Sequence, residues 1–158
     1  MKFSDFILVD AIRANIAAKD KEGVIRELVE SIQDAGGIEE SVYEDTVSTI
    51  LRLEEYATTG IGGGFAVPHT KHRGIKRMVG TVAISREGVD FDSIDGEKVY
   101  IFILLLAPIE WSGEWISALE LIAHRFRDAD FCRCLMQTRD CGQIKQLLDD
   151  ADNGKFTE

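Results

Sequence analysis

Residues Thr59 to Lys71 read TGIGGGFAVPHTK, and the rest of the chain takes its meaning from this stretch. Four glycines, Gly60, Gly62, Gly63 and Gly64, fall within five positions. A short apolar segment follows and stops at Pro68, which biases Val67 toward extended backbone and stiffens the approach to His69. Glycine amides, with no Cβ in the way, can turn into a common concavity that favours anions and phosphate above all. Lys71 and Arg73 stand close behind to meet added negative charge. Neutral imidazole is a competent nucleophile near physiological pH, and phosphoryl transfer depends mostly on positioning and electrostatics. The pattern fits a phosphohistidine site, and equally a common glycine turn with an ordinary surface or strand-end histidine beside it. It does not fit a nucleotide site, because no GxxxxGK[ST] sequence is present and the glycines precede a strand where a dinucleotide motif needs a helix.

Working outward, Asp20 caps a helix with the apolar stripe Val24, Ile25, Leu28, Val29 and Ile32, ended by Gly36-Gly37. A second helix begins near Ser41 and runs to about Glu55, delivering the chain to the glycines. Downstream, the β-branched run from Met78 to Ser85 predicts a strand, followed by a loop containing Asp95-Gly96. Val99 to Leu106 is apolar throughout, which predicts a strand buried on both faces. Beyond Pro108 a helix carries Ile116, Leu119, Ile122, Ala123 and Phe126 on one side, and shorter helices follow at Ala129–Gln137 and Cys141–Leu148. Helices before, between and after a few strands give an α/β class and one sandwich-like domain over residues 1–150, with 151–158 as a polar C-terminal tail.

Composition narrows the function. A formal charge of −10 makes nucleic acid and anionic membrane surfaces poor partners, since binding there depends on Lys and Arg displacing counterions. The longest apolar run, Val99 to Ala107, is about half of what a bilayer-spanning helix needs, and no signal peptide opens the chain, so no membrane insertion and a cytoplasmic location are expected. Cys132, Cys134 and Cys141 are an odd set that argues against a disulfide framework and reads as buried or half-buried reduced thiols.

The stretch TGIGGGFAVPHTK closely resembles the active-site segment of type-2 enzyme IIA domains of the sugar phosphotransferase system, commonly STGIGxGxAxPHxK. This is the fructose/mannitol/nitrogen-regulatory family. The resemblance continues through the helix before the glycines, the segment VDFDSIDGEKVYIFILLLAP and the later FCRCL, with wording most like the nitrogen-regulatory branch. It implies the enzyme IIA type-2 fold, a central mixed β-sheet flanked by helices. It also implies a phosphocarrier in which His69 accepts phosphate on Nε2 from an HPr-like phosphohistidine and passes it to an enzyme IIB or keeps it as a regulatory signal. Gly60, Gly62, Gly63, Gly64, Lys71 and Arg73 would then bind the phosphate, with Glu54 and Thr59 supporting, and neither cofactor nor metal is called for. Two positions depart from the family. An arginine often stands sixteen residues before the histidine, where this chain has Leu53, with Arg52 adjacent, and a second histidine often opens the helix after LLLAP, where the ungapped position is Trp115. Reduced activity follows, or, as the alternative, a non-catalytic regulatory binding module that keeps the fold.

Other candidates carry less. His69 and His72 form an HxxH pair with no committed third ligand for zinc, and His124 reads as a solvated helix residue. Trp111 and Trp115 serve either a docking surface or ordinary packing. Glu54 either orients His69 through its second ring nitrogen or is a helix-end surface carboxylate, and Glu55 is the weaker choice for the same role.

Overall fold

Strand β5 (Val99–Ala107) is the axis around which the molecule is built. Ile101, Ile103, Leu105 and Ala107 join one apolar cluster while Phe102, Leu104 and Leu106 join the other, so period-two alternation buries both faces. Truncating such a residue, Leu105→Ala for example, costs about 2–5 kcal/mol. The computed structural model describes residues 1–156.

On one side of β5 runs β4 (Val79–Val89), antiparallel, with Val79 opposite Leu106 and Ile84 opposite Ile101. On the other side two short strands lie end to end along the same edge, both parallel to β5. These are β2 (Phe65–Ala66), with Phe65 opposite Ile101, and β3 (His69–Lys71), with His69 opposite Leu105. Pro68 separates them because it has no amide hydrogen, yet its carbonyl still accepts from Leu105 N–H at 3.1 Å. β1 (Gly60–Gly62) pairs antiparallel with β2 and forms the outer edge, which makes the sheet mixed.

The opening segment covers the far edge of β4. Leu8 N–H donates to Gly80, Arg13 N–H donates to Val82, and Ile84 N–H donates to Arg13, giving parallel bridges at Ile7–Gly80 and Arg13–Ala83. Helices α1 (Lys21–Asp34) and α2 (Glu40–Tyr56) pack on one face of the sheet, and α3 (Gly113–Phe126), α4 (Ala129–Gln137) and α5 (Cys141–Asp152) on the other. The expected α/β sandwich with a central mixed sheet is therefore the observed architecture. Asp20 does cap α1, its carboxylate accepting from Gly23 N–H at 2.7 Å, an interaction worth about 1 kcal/mol.

Two boundaries differ from the sequence reading. β4 continues past Ser85 to Val89 through an irregularity between Ile84 and Val89, where Gly88 adopts φ 82° and a Cβ would lie 2.7 Å from the Tyr100 ring. α5 continues past Leu148 to Asp152, because Ala151 is buried and the Arg125 guanidinium donates to the carbonyls of Ala151 and Phe156. Residues 157 and 158 of the expected tail lie outside the described residues. Among the described residues no helix is long and apolar enough to cross a membrane.

Candidate functional site around His69

β3 begins at His69, immediately after the break that Pro68 makes in the strand edge, so the imidazole is fixed by a sheet register instead of a loose loop. Its Nδ1 lies 2.6 Å from the carbonyl oxygen of Val67. A carbonyl can only accept, so Nδ1 carries the hydrogen and the neutral ring keeps its lone pair on Nε2. The half-buried ring lines a cavity of about 510 Å³ together with Thr59, Ile61, Val67, Lys71, Leu53 and Trp115. In open α/β sheets ligands bind beyond the carboxyl ends of parallel strands, and His69 stands opposite Leu105, two residues from the end of β5.

Lys71, two residues along β3, leaves the sheet on the same side as His69 and lines the same cavity. Trp115, in the first turn of α3, faces both: its ring centroid is 5.8 Å from that of His69, and Lys71 Nζ lies 5.3 Å from the Trp115 ring. Leu53, on the last turn of α2, forms part of the opposite wall and is 46% exposed. The two family-departing positions thus both reach the cavity. Arg52 is exposed and lies outside the lining.

Glu54 is 6% exposed at the end of α2. Its carboxylate accepts from the Thr59 amide at 3.1 Å and from the Thr59 hydroxyl, and it pairs with Lys21 Nζ at 2.9 Å. The idea that Glu54 orients His69 is corrected by this arrangement, since the Val67 carbonyl holds Nδ1. Glu54 instead ties α2, α1 and the start of β1 together, and Glu55 is exposed. Because the Glu54 charge is matched by Lys21, the cavity is left with the charge of Lys71, which makes no ion pair among the described residues.

The glycines are placed differently from the reading of the sequence. Gly62, Gly63 and Gly64 all adopt left-handed backbone, with φ 97°, 69° and 82°, as the tight β1–β2 hairpin requires. Gly60, Gly62, Gly63 and Gly64 do not line the cavity. The Gly60 amide donates to Thr58 Oγ1, and the Gly63 amide donates to Asp95 Oδ2 at 3.0 Å. Backbone amides of Glu97 and Gly63, with the Ser93 hydroxyl, hold the Asp95 carboxyl below its ordinary range. The structure therefore brings together His69, Lys71, Thr59 and Glu54, and does not bring the four glycines or the exposed Arg73 to the same cavity.

His72 shows the opposite tautomer from His69. Gly74 N–H donates to its Nδ1 at 2.8 Å, so its Nε2–H donates to Asp45. Both nitrogens are engaged, and among the described residues no group of three His, Cys, Asp or Glu side chains could hold a metal ion. His124 is exposed on α3. Cys132 and Cys134 are half-buried, burial raising the Cys132 thiol to about 11, whereas Cys141 is exposed, contrary to expectation, because it opens α5. Sequence reasoning missed the Val67 carbonyl, which no side-chain pattern could reveal, and the partners Lys21 and Asp95, which are distant in sequence from the residues they hold.

Residues 5–151 match the family described as "Phosphoenolpyruvate-dependent sugar phosphotransferase system, EIIA 2". A nitrogen regulatory protein of Bradyrhizobium diazoefficiens is 31% identical over 149 residues, covering 94% of this chain and 95% of that protein. The crystal structure of nitrogen regulatory protein IIA-Ntr from Neisseria meningitidis superposes with a TM-score of 0.82 at 25% identity, over 92% of this chain and 98% of the other. The mannitol enzyme IIA of Escherichia coli, solved in complex with its phosphorylated enzyme IIB, shares the fold with a TM-score of 0.74 at 21% identity, over 89% of this chain and 94% of that one.

Proposed function

The chain belongs to the phosphoenolpyruvate-dependent sugar phosphotransferase system EIIA 2 family, and from that premise we propose that it is a cytoplasmic phosphocarrier with His69 as the acceptor. The observation that carries this reading is the 2.6 Å contact between His69 Nδ1 and the Val67 carbonyl, which leaves the Nε2 lone pair available at an open cavity. In the transfer step Nε2 attacks phosphorus of a phosphohistidine on an HPr-like donor. The new N–P bond forms as the old one breaks, and its electron pair returns to the donor imidazole. Positive charge growing on the His69 ring is met by the Val67 carbonyl through Nδ1–H. Negative charge on the phosphoryl oxygens is met by Lys71 and by the positive end of α3, whose first turn carries Trp115. The four glycines shape the β1–β2 hairpin that leads the chain to His69, and the exposed Arg73 adds positive charge two residues beyond Lys71.

The lining favours protein partners. Leu53 and Ile61, both on the cavity wall, are 46% and 50% exposed, an apolar border around a nucleophile that suits docking of a donor and of an enzyme IIB. The complex known for the mannitol relative supports the second of these partners. Similarity to nitrogen regulatory proteins supports use of the phosphorylated form as a signal. A non-catalytic binding module is the second reading, favoured by Leu53 and Trp115 standing in the cavity where arginine and histidine are common in the family.

Replacing the nucleophile separates them. His69→Ala is expected to abolish acid-labile phosphorylation while circular dichroism shows an intact fold, because the ring is only half-buried. Full labelling of that variant would move the acceptor to His72 or His124 and overturn the assignment.

A further inference from the structure

Among the described residues, Lys71 is the lysine or arginine that lines the cavity with His69. Lys21 is held by Glu54 at 2.9 Å, while Arg52 and Arg73 are exposed outside the lining. Lys71 lines the cavity beside His69, and the partner that fixes its ammonium is the Trp115 ring, 5.3 Å away. The same ring lies 5.8 Å from the imidazole of His69 at an interplanar angle of 56°. Trp115 is half-buried and packs against the apolar cluster beneath α3, so its indole is anchored.

A lysine side chain has a flexible four-carbon stem and a strongly hydrated head, and left alone it extends into solvent. An aromatic face attracts an ammonium electrostatically and restrains it without neutralising its charge. A carboxylate in that place would restrain it too, but would cancel the charge that a phosphoryl group needs. We propose that Trp115 is a positioning residue: its indole holds the Lys71 ammonium beside His69, so that the charge partner of the phosphoryl group is in place before transfer. This rests on the phosphocarrier reading. Once the phosphoryl group is on Nε2, its oxygens compete for the ammonium, and Lys71 moves from the indole toward them.

The test uses the full chain with Trp111→Phe, which leaves Trp115 as the single tryptophan, since the sequence contains two. Enzyme I, HPr and phosphoenolpyruvate phosphorylate this protein and variants with Trp115→Phe, Trp115→Leu, Lys71→Gln, and Trp115→Leu with Lys71→Gln. Trp115→Leu should slow labelling of His69 by about tenfold, Trp115→Phe should retain most of the rate, and the double variant should be no slower than Lys71→Gln alone. Trp115 emission should shift on phosphorylation, and the shift should be lost with Lys71→Gln. Equal slowing by Phe and Leu, additive losses in the double variant, or unchanged emission would overturn the proposal. Proton NMR of the unmodified protein supplies an arm that needs no transfer, because the indole ring current should shift the Lys71 ε-methylene upfield and Trp115→Leu should abolish that shift. A missing ring-current shift sinks the positioning role by itself. Its presence in a protein that takes no label sinks the phosphocarrier reading, and the positioning role with it.

Discussion

The imidazole Nδ1 of His69 donates to the carbonyl oxygen of Val67, two residues earlier, across a distance of 2.6 Å. Pro68, between them, restricts the backbone so that the carbonyl and the ring meet, and the strand register at Leu105 fixes where the ring then stands. One backbone atom thereby selects which ring nitrogen keeps its lone pair. Nitrogen-15 NMR of the unmodified protein is expected to show the Nδ1–H tautomer for His69, and the phosphorylated form to carry phosphorus on Nε2. Phosphorus on Nδ1 would mean that the Val67 contact is broken in the reactive state.

Glu54 provides a stability test of the same region. It joins Thr59 to Lys21 with its side chain 3% exposed, and Lys21 is 17% exposed. Glu54→Ala leaves the Thr59 donors without their acceptor and a largely buried ammonium with only the exposed Asp92 at 3.7 Å, so urea denaturation should show a loss of about 2–3 kcal/mol. A loss below about 0.5 kcal/mol, the level of an ordinary surface change, would show that the carboxylate does not anchor the end of α2.

Much of this arrangement is legible in the sequence where one element carries its own pattern. The uninterrupted apolar run of β5 announces burial on both faces, and the Asp20 cap with its stripe to Ile32 announces α1. His69 stands out because a proline and a strand present it. Long-range pairings leave no such mark, and the opening segment gives no sign that Leu8 and Arg13 bond to β4. The glycine run was ambiguous for a related reason. Composition shows that the amides can turn, but not where they point, and the Gly63 amide points to Asp95, thirty-two residues away. The family resemblance places residue 115 near the histidine, while the contact between its indole and Lys71 becomes visible only in three dimensions.

The Asp95–Gly63 contact predicts a pH dependence with a definite sign. Amides of Glu97 and Gly63 depress the Asp95 carboxyl below its ordinary value of 3.8 in the folded state. A depressed value stabilises the fold at pH above the unfolded value, and the contribution is lost as pH falls through the folded value. Asp95→Asn should therefore be less stable than the parent at neutral pH, and the gap should close in urea titrations carried below pH 3.8. A gap that persists unchanged in acid would show that the ionised carboxylate is not what holds the hairpin.

Leu53 and Trp115 predict slow chemistry. A missing donor that acts only in the transition state costs a factor of about one hundred to a thousand, and here two positions that line the cavity lack one. Leu53→Arg combined with Trp115→His supplies two new donors in place of the ring that holds Lys71. Phosphorylation of His69 should then accelerate by about tenfold or more in single-turnover assays. If the parent already matches relatives that have both groups, Lys71 and the α3 terminus compensate fully.

Transfer of a phosphoryl group to His69 is tested by the intact mass of the purified chain after incubation with enzyme I, HPr and phosphoenolpyruvate. The mass is expected to increase by one phosphoryl group that disappears on mild acid treatment and does not form in His69→Ala. An unchanged mass under conditions that fully phosphorylate a mannitol or nitrogen-branch relative would contradict it, and would leave the cavity at His69 as a docking surface without transfer.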